Sequence, residues 1–368
     1  MGTNKRILIS GYYGFDNSGD DAILKAIVKD IKKKDNSIGI TVLSNNPIFT
    51  EKVYGIKAVN RFKMKKVIKA IKECDLFISG GGSLLQDITS TRSLLYYLTL
   101  MKLANKLKKP IMIYANGIGP INKKTNRILT KRTLKKVDLI TLRDEDSKVF
   151  LEELGVQNNN IFVTADPVFT LEPSEDIVID KILNKEGVPQ EKPLVGVSVR
   201  NWMDEDNLIS NVAKAIDYVI QQYRVNVILI PMHYPEDLSI SNSILENVTN
   251  QKNCYIISNK YNVEDIMGVI RKLEMIVAMR LHSLIYAATQ NVPMVGIVYD
   301  PKIEGFLKSI DMGHMCPVED LKYTQLISNI DYVWENRKDL KEGLKLLDIK
   351  MRNEALKNVN MALDLLKG

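Results

Sequence analysis

The chain has 368 residues, 45% of them hydrophobic and 26% charged, with a net charge of +7. It is too apolar to be disordered and too long for one ordinary core, so two globular domains are expected. No apolar run approaches the roughly 18 to 20 residues that span a bilayer, and three scattered cysteines, Cys74, Cys254 and Cys316, with no CxxC pair, suggest neither a disulfide framework nor a zinc site.

The opening MGTNKRILISGYYG holds too short an apolar stretch for a signal-peptide core of about 7 to 15 residues, so a cytoplasmic protein is expected. Short β-rich runs then alternate with helical patterns. Strands are predicted at 6–10, 39–43, 75–79, 110–115, 138–142 and 161–164, with helices at 20–33, 64–73, 91–107, 125–136 and 145–154. At 171–193 the pattern weakens into a proline-containing linker. A second series follows, with strands at 194–199, 225–230, 254–257, 275–278 and 294–298. From 337 to 367, Leu340, Leu344, Leu347, Met351, Ala355, Val359 and Ala362 recur at steps of three or four, the stripe of one long helix that packs back on the domains. This order predicts an α/β protein of two Rossmann-like, doubly wound domains facing each other across a cleft. The expected boundaries are 1–172, a linker at 173–193, 194–336, and the terminal helix at 337–368.

Positive charge concentrates in 61–72 (RFKMKKVIKAIK) and 122–136 (NKKTNRILTKRTLKK). Such runs are read as solvated helix faces, or as a surface for anionic lipid or a phosphorylated acceptor. No nucleic-acid motif accompanies them, and nucleic acid is not an expected partner.

In a doubly wound sheet, ligands bind beyond the carboxyl ends of the strands. After the first strand, GYYGFDNSGDD lacks the Lys-Ser/Thr of a P-loop, and Asp20 and Asp21 would repel phosphate. Asn17 or Asp20 is expected to cap the next helix and to bind sugar hydroxyls. Gly80, Gly81 and Gly82, followed by Ser83, suggest close backbone approach to a ligand at a helix N-terminus. Arg143, Arg200, Arg280, His282 and Lys302 all stand near strand ends. Arg280 closes an apolar strand ahead of an apolar helix, where an unpaired charge costs several kcal/mol, so it needs an anion. Arginine forks bind carboxylate and phosphate, and a histidine donates a proton near neutrality. The set suits a small, highly charged substrate. Asp166, Asp237 and Asp300 show no recognisable magnesium spacing, and a reaction without metal is expected.

Taken together, GYYGFDNSGDDAIL, GGGSLLQD, ANGIGP, LRDEDS, ADPVF, GVSVRNW and MRLHSLIYAATQNVPMVGIVYDPK resemble the polysaccharide pyruvyl transferase family, in particular its bacterial cell-wall members. The resemblance implies a fold like that of GT-B glycosyltransferases, with an N-terminal acceptor side and a C-terminal donor side. It implies phosphoenolpyruvate as donor substrate and no separate cofactor. It places Arg200, Arg280, Leu281 and His282 at the donor, with Lys302 and Arg143 as further site positions. Similar members transfer pyruvate, as a ketal, to N-acetylmannosamine in a lipid-linked precursor of the cell-wall polymer that anchors S-layer proteins. A lipid-linked oligosaccharide acceptor and peripheral contact with the inner membrane leaflet are the partners implied. Two other readings share the architecture: a nucleotide-sugar glycosyltransferase or epimerase, and a non-enzymatic carbohydrate-binding protein.

Overall fold

The computed structural model describes residues 5–157 and 159–367, so part of the opening segment read for a leader lies outside the described residues. The chain divides into two compact units, one of Met1–Leu171 with Met351–Gly368 and one of Glu172–Lys350.

The first unit is built on a seven-stranded parallel sheet of β1 (Arg6–Tyr13), β2 (Gly39–Ser44), β3 (Lys57–Asn60), β4 (Leu76–Ser79), β5 (Ile111–Asn116), β6 (Leu139–Leu142) and β7 (Ile161–Val163), in the order β3-β2-β1-β4-β5-β6-β7. β4 and β6 are buried along their whole length. That is the condition of strands covered by crossover helices on both faces, and it explains why they read as continuous apolar runs. One side of the sheet is filled by Phe77, Ile113 and Ile140 packed against Leu94, Leu98 and Met101 of the helix Thr91–Lys106. The strand order reverses between β1 and β4, so the segments leaving these two strands lie at the topological switch point.

The second unit repeats the plan with β8 (Leu194–Ser198), β9 (Asn226–Leu229), β10 (Cys254–Ile256), β11 (Leu273–Ala278), β12 (Met294–Val298) and β13 (Met315–Pro317), ordered β10-β9-β8-β11-β12-β13. Its reversal falls between β8 and β11, whose ends are in register, Ala278 opposite Ser198. Val195, Val197, Val227 and Val277 meet Val212, Ile216 and Val219 of the helix Glu205–Tyr223 in its core.

Several elements depart from the sequence reading. β1 continues past Ser10 to Tyr13 through a register shift, pairing Tyr13 with Ser44, where the sequence predicts a loop from Gly11. The short strands β3 and β13 have no counterpart among the predicted elements: KAVN and MCP are too brief for a visible period. The segment expected to be a linker holds the helix Asp176–Lys185, whose Ile179, Ile182 and Leu183 are buried in the second unit. Its apolar stripe spans under three turns, too short to stand out among charged neighbours. The long terminal helix, Arg337–Lys367, is present; Ala355, Val359 and Ala362 of its last part are fully buried. In the first unit, Asn358 of that helix donates to the Ala165 carbonyl and accepts from the Thr164 hydroxyl.

Candidate active site

In the first unit, Asn17 caps the helix Ser18–Lys34: its Oδ1 accepts from the Gly19 amide at 3.0 Å and the Asp20 amide at 3.4 Å. The cap is therefore Asn17, and Asp20 lies in the first turn. Burial, reinforced by the Asp21 carboxylate, pushes Asp20 up to about 8 against the opposing pull of Arg143. Gly82 has a φ of +91°, and a Cβ there would stand 3.2 Å from the Asp20 Oδ1. A Cβ on Gly81 would meet Ile23 at 2.8 Å, so the helix after β1 presses on the glycines after β4. The helix expected at the triple glycine does not begin there; the next one starts at Thr91, capped by Ser90. The intervening loop is instead fastened to the segment after β5: Gly117 donates to the Gly82 carbonyl, Gly119 to Leu85, and Asp87 accepts from the Asn122 and Lys123 amides and from the Asn126 side chain. GGGSLLQD and ANGIGP thus form one piece of structure.

Arg143, after β6, is almost fully buried and joins this piece: one guanidinium nitrogen donates to Asp166 at 2.9 Å and another to the Ser83 hydroxyl at 3.0 Å. Asp20, Gly81, Gly82, Ser83 and Arg143 are therefore brought together, with Asn17 at the adjoining cap. The sequence offers Asp166 only as a conceivable metal ligand, yet it is the counter-ion of Arg143; its place just after β7 is the available signal.

In the second unit, four neighbouring strands deliver the remaining residues at one sheet edge. Arg200 follows β8, His233 and Asp237 follow β9, Arg280, Leu281 and His282 follow β11, and Lys302 follows β12. Arg280 precedes the helix Leu281–Thr289, so His282 sits in its first turn. The anion that Arg280 requires is supplied within the unit: its Nε donates to Asp237 Oδ2 at 3.0 Å and a terminal nitrogen donates to Oδ1. Asp237 Oδ2 also accepts from the Met232 and His233 amides, which fixes the fork. Asp300 caps the helix Pro301–Ser309, accepting from the Lys302 amide at 2.9 Å. The guanidinium carbon of Arg200 stands 4.9 Å from the centroid of the Tyr299 ring. Trp202 lies 5.3 Å from the same ring. Neither aromatic is singled out by the sequence, although both fall inside the stretches RNW and YDPK. His314 stacks on Tyr332 at 4.1 Å, a packing position.

Two doubly wound parallel sheets with helices between their strands define the GT-B class of architecture, and solved structures agree in fold. The chain is similar to a UDP-GlcNAc 2-epimerase from Methanocaldococcus jannaschii at 15% identity and a TM-score of 0.67, covering 94% of this chain and 99% of that one. It is similar to a glycosyltransferase from Rickettsia africae at 14% identity and a TM-score of 0.68, with all of both chains covered. At these identities the likeness is one of fold. Residues 17–301 match the polysaccharide pyruvyl transferase family, and the chain belongs to it. Among curated proteins it is similar to the amylovoran biosynthesis protein AmsJ of Erwinia amylovora, 19% identical over 417 residues that cover 96% of this chain and all of that one.

Proposed function

We propose that this transferase moves pyruvate from phosphoenolpyruvate onto a sugar as a cyclic ketal, releasing phosphate. One observation carries the reading: Arg200, Arg280, His282 and Lys302 leave β8, β11 and β12, adjacent parallel strands at the switch point of a single sheet. A donor with a carboxylate and a phosphate on one small carbon skeleton fits that density of cations.

In this mechanism His282, as imidazolium, gives a proton to the methylene carbon of the donor, and positive charge develops at C2. Arg200 and the outward face of Arg280 hold the donor's anionic groups, and Lys302 meets the departing phosphate. Two sugar hydroxyls attack C2 in turn. Two C–O bonds form, the C2–O bond to phosphate breaks, and of the two hydroxyl protons one balances the proton given to the methyl group and the other leaves with phosphate. In the first unit, Asn17, Asp20, Gly81, Gly82 and Ser83 serve the acceptor, with Arg143 orienting Ser83.

The acceptor in this reading is N-acetylmannosamine within a lipid-linked cell-wall polymer precursor, used by a cytoplasmic protein resting on the inner membrane leaflet. No helix among the described residues is long and apolar enough to cross a membrane. Contact would fall on the helix Met64–Glu73, which exposes Lys65, Lys66, Lys69 and Lys72 beside Phe62, 63% exposed, and Met64, 41% exposed.

The test is phosphate release from phosphoenolpyruvate by purified protein, with and without an N-acetylmannosamine-containing lipid-linked disaccharide. Acceptor-dependent release supports the reading. No release, with a uridine-diphosphate sugar stabilising the protein to heat, would move it to the glycosyltransferase or epimerase reading.

A further inference from the structure

Of the three arginines singled out as site candidates, Arg143, Arg200 and Arg280, two carry an internal counter-ion, Arg143 with Asp166 and Arg280 with Asp237. Arg200 differs. Among the described residues no carboxylate makes an ion pair with it, and its Nε is buried without a hydrogen-bond partner. Its neighbour is the face of Tyr299, 4.9 Å from ring centroid to guanidinium carbon. The Tyr299 ring is itself braced by Trp202 at 5.3 Å, the planes tilted by 49°. The next residue, Asp300, is pinned as a helix cap.

The choice of partner matters because the two kinds act differently on a cation. A carboxylate cancels the charge and occupies the N–H donors of the fork. An aromatic face attracts the cation while leaving both its charge and its edge donors available.

We propose that Tyr299 is a positioning residue, holding Arg200 by its ring face so that the guanidinium edge is presented, uncancelled, to an anionic oxygen of the substrate, with Trp202 fixing the ring. The inference rests on the phosphoenolpyruvate reading and names the residues that ready its anion site. It also gives the arginines different roles, since Arg143 and Arg280 are held in place by salt bridges whereas Arg200 brings the uncancelled charge.

The test replaces Tyr299 with phenylalanine and then with mono-, di- and trifluorophenylalanine by nonsense suppression, a series that keeps ring shape while draining negative charge from its face. Phosphoenolpyruvate binding is read by heat stabilisation with that ligand alone, and KM and kcat by phosphate release. Tyr299→Phe should hold the donor KM within about twofold. The KM should then climb with each fluorine, by about three- to thirty-fold over the series, with kcat unchanged and the ligand-free Tm lowered by no more than a few degrees. A packing role predicts no such trend, and a flat series overturns the proposal while leaving the donor reading in place. Wild-type protein that does not bind phosphoenolpyruvate overturns both.

Discussion

Removing the Arg280 side chain would strand the carboxylate of Asp237, which is 1% exposed and pairs with no other cation among the described residues. Breaking a buried pair from one side costs about 3 to 5 kcal/mol. Arg280→Ala should therefore lower Tm and weaken donor binding together, and Asp237→Ala added to it should return part of the stability but none of the binding; thermal unfolding and donor titration of both variants check this. His282 carries a different expectation. A general acid contributes about 10² to 10⁴-fold, so His282→Ala should cut kcat in the phosphate-release assay by that order with little change in donor KM. Asp20 gives a pH signature. Its carboxyl, ordinarily near 3.8, is held at about 8 in the fold, so the folded state binds the extra proton between those values. The stability tied to that proton is present below the ordinary value and is lost as pH rises through about 8. Asp20→Asn should accordingly gain Tm over wild type at pH 9 and much less at pH 5; an equal difference at both would sink the assignment.

At the scale of elements, the basic run 61–72 divides in two. Arg61 is buried, donating to the Gly11 carbonyl at 2.9 Å and lying against the rings of Phe15, Phe62, Tyr96 and Tyr97. The lysines beyond it remain on the exposed side of a helix whose Val67 and Ile71 are buried. Vesicles carrying anionic lipid should co-sediment with the protein at low salt, and changing Lys65, Lys66, Lys69 and Lys72 to glutamate should abolish it, since each basic side chain near such a surface contributes about 1 kcal/mol. Equal binding by the variant would remove this helix from any membrane role. Arg61 shows why composition misleads here: a charge count cannot register that four aromatic rings and a carbonyl have gathered around one guanidinium. Fully covered strands such as β4 and β6 are legible because both faces are apolar, and junction motifs are legible because glycines and charges interrupt apolar runs. What escapes is pairing at a distance: Asp166 for Arg143, Asp237 for Arg280 and Tyr299 for Arg200 are separated by between 23 and 99 positions, and nothing local announces them.

For the molecule as a whole, the terminal helix is divided in its allegiance: residues to Lys350 count with the second unit and those from Met351 with the first. A chain ending at Lys350 would lose the buried Ala355, Val359 and Ala362 and the Asn358 bonds to Thr164 and Ala165. Limited proteolysis of that truncated chain should digest the first unit while leaving a resistant fragment from Glu172 onward; equal resistance of both units would contradict it. The same division has a temporal meaning. The second unit is one uninterrupted stretch of sequence, set like an insertion within the first, whose final helical piece is made only after it. During synthesis the inserted unit can complete its fold before the closing helical piece has emerged, although all seven strands of the first unit are made earlier.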